Sequence, residues 1–214
     1  MNRRAFGRTL AAFTASAGAL HGGRALGETL AEPLSADERD LLARGRCIRR
    51  AVDADLEEGL YIGGVSYCVA EAPAGLVLAM LADVAVYKRI LALTLEASPT
   101  GKKGADQLVY FKHGGKLGTA GYTMRIRPAD SGGVVRFWMD PAFDHEIEDV
   151  WGFVRVQALG PSSCLVTYAV LCDLGTVIRV LFGERIREYA LDTPEHVRWV
   201  AQERYAASQS LPVP

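Results

Sequence analysis

The densest set of groups able to do chemistry is Asp144-His145-Glu146, with Glu148 and Asp149 close behind. Carboxylates and an imidazole are metal donors. They are also what a solvated turn between two strands contains, and the cluster is read as that turn, with no metal expected. His113 stands just before Gly114-Gly115. It is a loop histidine unless it points into an enclosed site, where it would serve as general acid or base. No catalytic residue is assigned, and His113 is the one candidate. His196 falls in the first turn of a helix and is expected at the surface. Tyr87, beside Lys88 and Arg89, belongs to a short helix whose charges either meet an anionic part of a ligand or simply face water. Tyr122, Trp138, Trp151 and Tyr168 are large rings with a polar tip. With Met124 they suit contact with an apolar ligand, or an ordinary core in which the O–H or N–H meets backbone.

Other chemistries lack their motifs. The chain has no nucleophile elbow, phosphate loop, dinucleotide glycine fingerprint or zinc-binding helix motif. No cofactor is expected. Gly63-Gly64 is too little for a nucleotide signal and fits a bulge or a close approach to a neighbouring strand. The four cysteines, Cys47, Cys68, Cys164 and Cys172, include no Cys-x-x-Cys pair, which argues against zinc or a thioredoxin-like role. Cys68, Cys164 and Cys172 lie in apolar runs and read as small buried hydrophobes. A disulfide remains open, including one from Cys68 to Cys164 or Cys172.

The 214 residues, half of them hydrophobic, suffice for one domain with a real core. The net charge is -1, but residues 1–27 hold Arg3, Arg4, Arg8 and Arg24 and no acid. Without that segment 20 basic residues face 25 acidic ones, a net charge of −5. A mildly acidic body argues against nucleic acid and against an anionic membrane as main partners. No apolar run is long enough to span a membrane; transient membrane contact stays compatible.

Asn2-Arg3-Arg4-Ala5-Phe6-Gly7-Arg8 resembles the twin-arginine export motif. A weakly apolar run, Thr9 to Leu20, and the small residues Ala25-Leu26-Gly27 follow it. A twin-arginine signal peptide over 1–27 and a periplasmic location are therefore expected. Residues 28–34 read as a linker. Ser35-Ala36-Asp37-Glu38 has capping-box spacing and opens a helix expected to reach Glu58, with Leu41, Leu42, Ile48, Val52 and Leu56 as its stripe.

The body, 59–208, alternates like a β protein. Strands are expected at Tyr61–Ala70, Leu93–Ala97, Gln107–Lys112, Thr119–Arg127, Val134–Met139, Glu148–Ala158 and Cys164–Cys172, with short helices at Leu76–Leu81 and Val84–Leu91. Short connections make the strands antiparallel neighbours. Tyr122, Met124 and Ile126 are placed inward. Along Cys164–Cys172 one face carries Cys164, Val166, Tyr168, Val170 and Cys172, the other Leu165, Thr167, Ala169 and Leu171; both are apolar enough to be covered. Aromatics on both faces leave Trp138 and Trp151 undecided. From Thr176 to Ser208 the period is helical, with a bend at Asp192-Thr193-Pro194-Glu195, where Asp192 or Thr193 can cap and Pro194 suits the first turn. Residues 209–214 read as a disordered tail.

One strand, two short helices, about six strands and a long C-terminal helix resemble the START-like, or helix-grip, superfamily. Local sequence agrees: Pro73 to Val77 followed by Leu81-Ala82-Asp83, Val166-Thr167-Tyr168 before Cys172-Asp173-Leu174-Gly175, and Thr193 to Arg198 are similar to its diffuse fold motifs. The resemblance covers roughly 60–207. It implies an α+β fold, a curved antiparallel sheet of six or seven strands around a long helix, and an apolar cavity between them. Family members hold sterols, phospholipids, polyketides or quinone-like lipids there. The expected function is binding or transport of an apolar small molecule by Tyr122, Met124, Trp138, Trp151, Tyr168, Tyr87 and Arg89. The alternatives are an aromatase/cyclase or dehydratase, and an interaction module with a filled core.

Overall fold

The computed structural model describes residues 33–56, 59–115 and 118–210. The expected export signal, nearly all of the linker and residues 211–214 lie outside them. Ser35 caps the first helix, α1 (Ala36–Ala43): its Oγ accepts from the Glu38 N–H at 3.2 Å, and its own N–H donates to Glu38 Oε2 at 2.8 Å. The capping box is therefore made, but the helix stops far short of Glu58. Gly45, at φ 75°, turns the chain, and Ile48–Leu56 is a strand, β1. Ile48, Val52 and Leu56 recur every fourth residue, a spacing that fits a helical stripe and one face of a strand alike. Pairing decides between them: β1 aligns antiparallel with β2 (Gly59–Ala70) from Ile48↔Tyr67 to Leu56↔Gly59.

After β2 come α2 (Ala74–Leu81), a 3₁₀ turn (Val84–Val86) and α3 (Tyr87–Ile90). Six strands follow: β3 (Thr94–Lys103), β4 (Asp106–Gly115), β5 (Gly118–Arg127), β6 (Val134–Met139), β7 (Asp149–Gly160) and β8 (Ser163–Asp173). Two helices, α4 (Gly175–Leu191) and α5 (Thr193–Gln209), close the described chain. Among the described residues all eight strands form one antiparallel sheet in the order β1-β2-β8-β7-β6-β5-β4-β3. The eighth strand is β1, the one expected as helix. Among the described residues no helix is long and apolar enough to cross a membrane.

Each face of the sheet has its own apolar cluster. On the concave face Ile62, Val109, Phe111, Met124, Ile126, Val135, Phe137, Val150, Val154, Val166, Tyr168 and Val170 join Val197, Val200 and Ala201 of α5. On the convex face Val65, Tyr67, Phe153 and Ala169 meet Leu42 of α1. Both faces of β8 are covered, as its alternation requires. The capping residue Glu38 also ties α1 to β1: Arg50 donates to it twice, at 2.8 and 2.5 Å.

Gly63 and Gly64 mark a close approach of three strands. A Cβ at Gly63 would lie 2.0 Å from the Val170 carbonyl of β8, and one at Gly64 would lie 2.0 Å from the Arg50 carbonyl of β1. Beside them Cys47 and Cys68 form a disulfide, with Cα atoms 4.6 Å apart. Cys68 is thus neither a lone hydrophobe nor the partner of Cys164 or Cys172, both of which are free and buried. The sequence hid this because Cys47 was assigned to a helix, away from any strand partner.

The expected bend is present: α5 begins at Thr193, with Pro194 in its first turn. Asp192 occupies the cap position, yet its side chain makes no cap hydrogen bond. It is paired instead with Arg49 of β1 at 2.6 Å, and Arg49 also donates to Glu195. A surface charge cluster fastens the bend to the sheet edge.

Candidate functional site

The concave face of β4 and β5 carries an aromatic stack. Phe111 and His113 alternate inward on β4, and Tyr122 lies opposite on β5. The His113 and Tyr122 rings are 5.5 Å apart at 16°, and those of Phe111 and His113 are 5.7 Å apart at 13°. Phe111 is fully buried. His113 and Tyr122 keep some accessible surface. Burial pushes the Tyr122 phenol well above its ordinary range, with Tyr168 and Cys172 close enough to add to the effect. Burial likewise holds His113 down to about 4, only partly opposed by the Ala92 backbone, so the ring is neutral near pH 7.

A second polar group lies beneath the bend between α4 and α5. Ser66 of β2 pairs in register with Tyr168 of β8, and Thr193 lies near the Tyr168 hydroxyl. Tyr168 stacks on Phe137 at 5.8 Å. The Ser66 and Thr193 hydroxyls are buried without a hydrogen-bond partner among the described residues. Cys172, on the same face, gives its thiol to the Ile62 carbonyl at 3.4 Å, and burial raises it to about 12. It is an inert thiol. The interior is therefore apolar and aromatic, with a few polar atoms at two places. That is the composition of a small-molecule site.

The expected contact residues divide. Tyr122, Met124 and Tyr168 belong to the concave interior. Trp138 and Trp151 do not: they face each other in register on the convex side, and the Arg127 guanidinium sits 5.0 Å from the Trp138 ring. Alternation against the buried Val135, Phe137 and Met139 decides this. Tyr87 is buried, but its hydroxyl is committed to the Leu81 carbonyl at 2.7 Å and its ring meets Phe111 edge-on. Arg89 lies at the surface and binds Glu203 of α5 at 2.6 Å. With Asp83–Arg204 at 3.1 Å it fastens α5 to the α3 segment.

The polar turn at 144–149 serves the backbone. Glu146 Oε2 accepts from the Gly121 N–H at 2.6 Å, and His145 Nδ1 donates to the Ile147 carbonyl at 2.7 Å. Asp149 accepts from the Tyr61 hydroxyl at 2.8 Å, and burial raises its carboxyl. Among the described residues no three histidine, cysteine or carboxylate side chains are placed to share a metal. His196 is half-buried rather than exposed, its Nδ1 3.3 Å from the Ile90 carbonyl. Sequence reasoning missed Ser66 and gave Thr193 only a capping role. The signal for Ser66 was a lone hydroxyl on the parity of Ile62 and Ala70.

The two C-terminal helices are held differently. α5 buries Thr193, Pro194, Val197, Val200 and Ala201. Of the 17 residues of α4 only Gly183 and Leu191 are buried. Val177, Val180 and Leu181 are exposed by 71, 74 and 65%. A groove of about 670 Å³ runs along α4, lined by Asp53, Phe182, Gly183 and Arg187, and reaches Ile62 of the concave cluster. Another, of about 560 Å³, lies at the far end of α5 beside Glu71, Ser163 and Tyr205.

This architecture is the helix-grip fold. Solved structures share it. The chain is similar to a STAR-related lipid transfer protein from Xanthomonas axonopodis (TM-score 0.56, 13% identity, covering 72% of this chain and 98% of that one). It is similar to the Zhui aromatase/cyclase from Streptomyces sp. R1128 (0.54, 17%, 77% and 100%). It is also similar to a START superfamily protein from Mycobacterium smegmatis (0.51, 11%, 67% and 97%). At these identities the likeness shows the fold alone. No protein-family model matches the chain, and no curated protein matches it in sequence.

Proposed function

We propose that this protein binds an apolar small molecule, a lipid, sterol or polyketide, between the concave face of the sheet and the C-terminal helices. The observation that carries this is the concave interior itself: apolar, aromatic, and holding polar atoms of His113, Ser66 and Thr193 that have no partner among the described residues. Burying the ligand's apolar surface supplies the affinity, about 25 cal/mol per Å² before the costs of association. Access is through α4. Few of its side chains are buried, so it opens at lower free energy than α5. Its exposed Val177, Val180 and Leu181 are the surface that an incoming lipid, or the membrane delivering it, would cover. The lipid-transfer and aromatase/cyclase proteins that share the fold support an apolar ligand as the class.

Export to the periplasm belongs to the same proposal. The twin-arginine-like start of the sequence supports it, and so does the Cys47–Cys68 disulfide, which persists in an oxidising compartment. The binding test is titration with the fluorophore 1-anilinonaphthalene-8-sulfonate, then competition with phospholipid, cholesterol and an aromatic polyketide. Saturable fluorophore binding that one of these displaces supports the proposal. A protein at native stability that takes up none of the four defeats it.

A further inference from the structure

His113 has one ring nitrogen engaged and one free. Nδ1 lies 3.2 Å from Thr94 Oγ1. The single hydroxyl proton of Thr94 is directed at the Leu91 carbonyl, 2.8 Å away. Toward His113 that oxygen can only accept, so Nδ1 carries the ring hydrogen and Nε2 carries a lone pair. Nε2 is buried and has no hydrogen-bond partner among the described residues. It belongs to the concave face, in the stack with Tyr122. A buried acceptor left without a donor is destabilising, whereas an apolar atom in its place is not.

Resting on the apolar site proposed above, we propose that His113 Nε2 accepts a hydrogen bond from the ligand, which is therefore an apolar alcohol or phenol rather than a hydrocarbon, ester or ketone. A ligand hydroxyl gives its proton to Nε2. A ketone has no proton to give and leaves Nε2 unpaired. The alternative tautomer is no remedy, because Thr94 would have to abandon the Leu91 carbonyl.

The test uses two probes of nearly the same shape, 2-naphthol and 2-methoxynaphthalene, titrated by fluorescence into the wild type and His113→Phe. The variant keeps the ring stack and removes the acceptor. The wild type is expected to bind 2-naphthol about ten-fold tighter, the order expected for pairing one buried acceptor. H113F is expected to bind the two alike and to retain 2-methoxynaphthalene. In nitrogen-15 spectra of the ligand-free wild type, His113 Nε2 should have the shift of an unprotonated ring nitrogen and should move on adding 2-naphthol. Equal wild-type affinities, or a protonated Nε2 in the free protein, overturn this inference and leave the apolar site standing. If neither probe binds, this inference is overturned, and the apolar site is decided by the fluorophore and lipid titrations above. Should H113F not fold, the wild-type probe pair and the nitrogen shift decide alone.

Discussion

Cys47 and Cys68 are joined across the β1–β2 pair, one residue beyond Ile48↔Tyr67. The bond turns the edge strand into a closed loop spanning 21 positions of sequence. Removing it with Cys47→Ser or Cys68→Ser, or by reduction, should lower unfolding stability by about 3 kcal/mol, from loop-closure entropy regained by the unfolded chain. Urea unfolding with and without reductant checks this. The double serine variant should show no further response to reductant.

The two faces of the sheet should respond differently to truncation. Phe111→Ala opens a cavity among Tyr87, His113 and Tyr122 and should cost about 3 to 5 kcal/mol. Trp138→Ala removes a half-buried ring beneath Arg127 on the convex side. It should cost less and leave binding of an apolar probe unchanged. Denaturant midpoints and fluorophore titration of the two variants separate these effects.

Stability should fall on acidification in two windows. His113 is held at about 4 in the folded protein against 6.5 in the unfolded chain. The unfolded state therefore takes up the proton first. The His113 contribution is complete above about 6.5 and is lost as pH falls toward 4, up to roughly 3 kcal/mol in all. Glu38 is lowered from 4.5 to about 2 by its hydrogen bonds with Arg50 and Ser35, so its contribution disappears at lower pH, between those values. His113→Phe should flatten the upper window only, and Glu38→Gln the lower only, in unfolding free energies measured from pH 8 to 2.

Hydrogen exchange should release α4 well before α5. The first has two buried residues, Gly183 and Leu191; the second is anchored by Val197, Val200 and Ala201 and tied by Arg89–Glu203. Bound 1-anilinonaphthalene-8-sulfonate should slow α4 and leave the late-exchanging α5 core amides unchanged. Equal exchange in the two helices would remove α4 as the route of access.

Where the sequence was legible, one period had one explanation. Alternation along β8 assigned Tyr168 and Cys172 to one face and Ala169 to the other, and the parity of Tyr122 on β5 follows the same rule. Pro194 marked the bend because it lacks a donor to continue a helix. β1 was illegible because every-fourth spacing serves both periods, and the lost strand concealed the Cys47 pairing. Trp138 and Trp151 were undecided because β6 and β7 carry rings on both faces, and only cross-strand register sorts them. The orphaned nitrogen of His113 depends on where the Thr94 proton points, a contact made by folding and invisible in spacing.

The most direct measurement is native mass spectrometry of the protein purified from its native host, followed by extraction and identification of what it carries. The account predicts a stoichiometric apolar molecule bearing a free hydroxyl. A protein recovered without ligand, which stays empty when offered lipid extract, would contradict it.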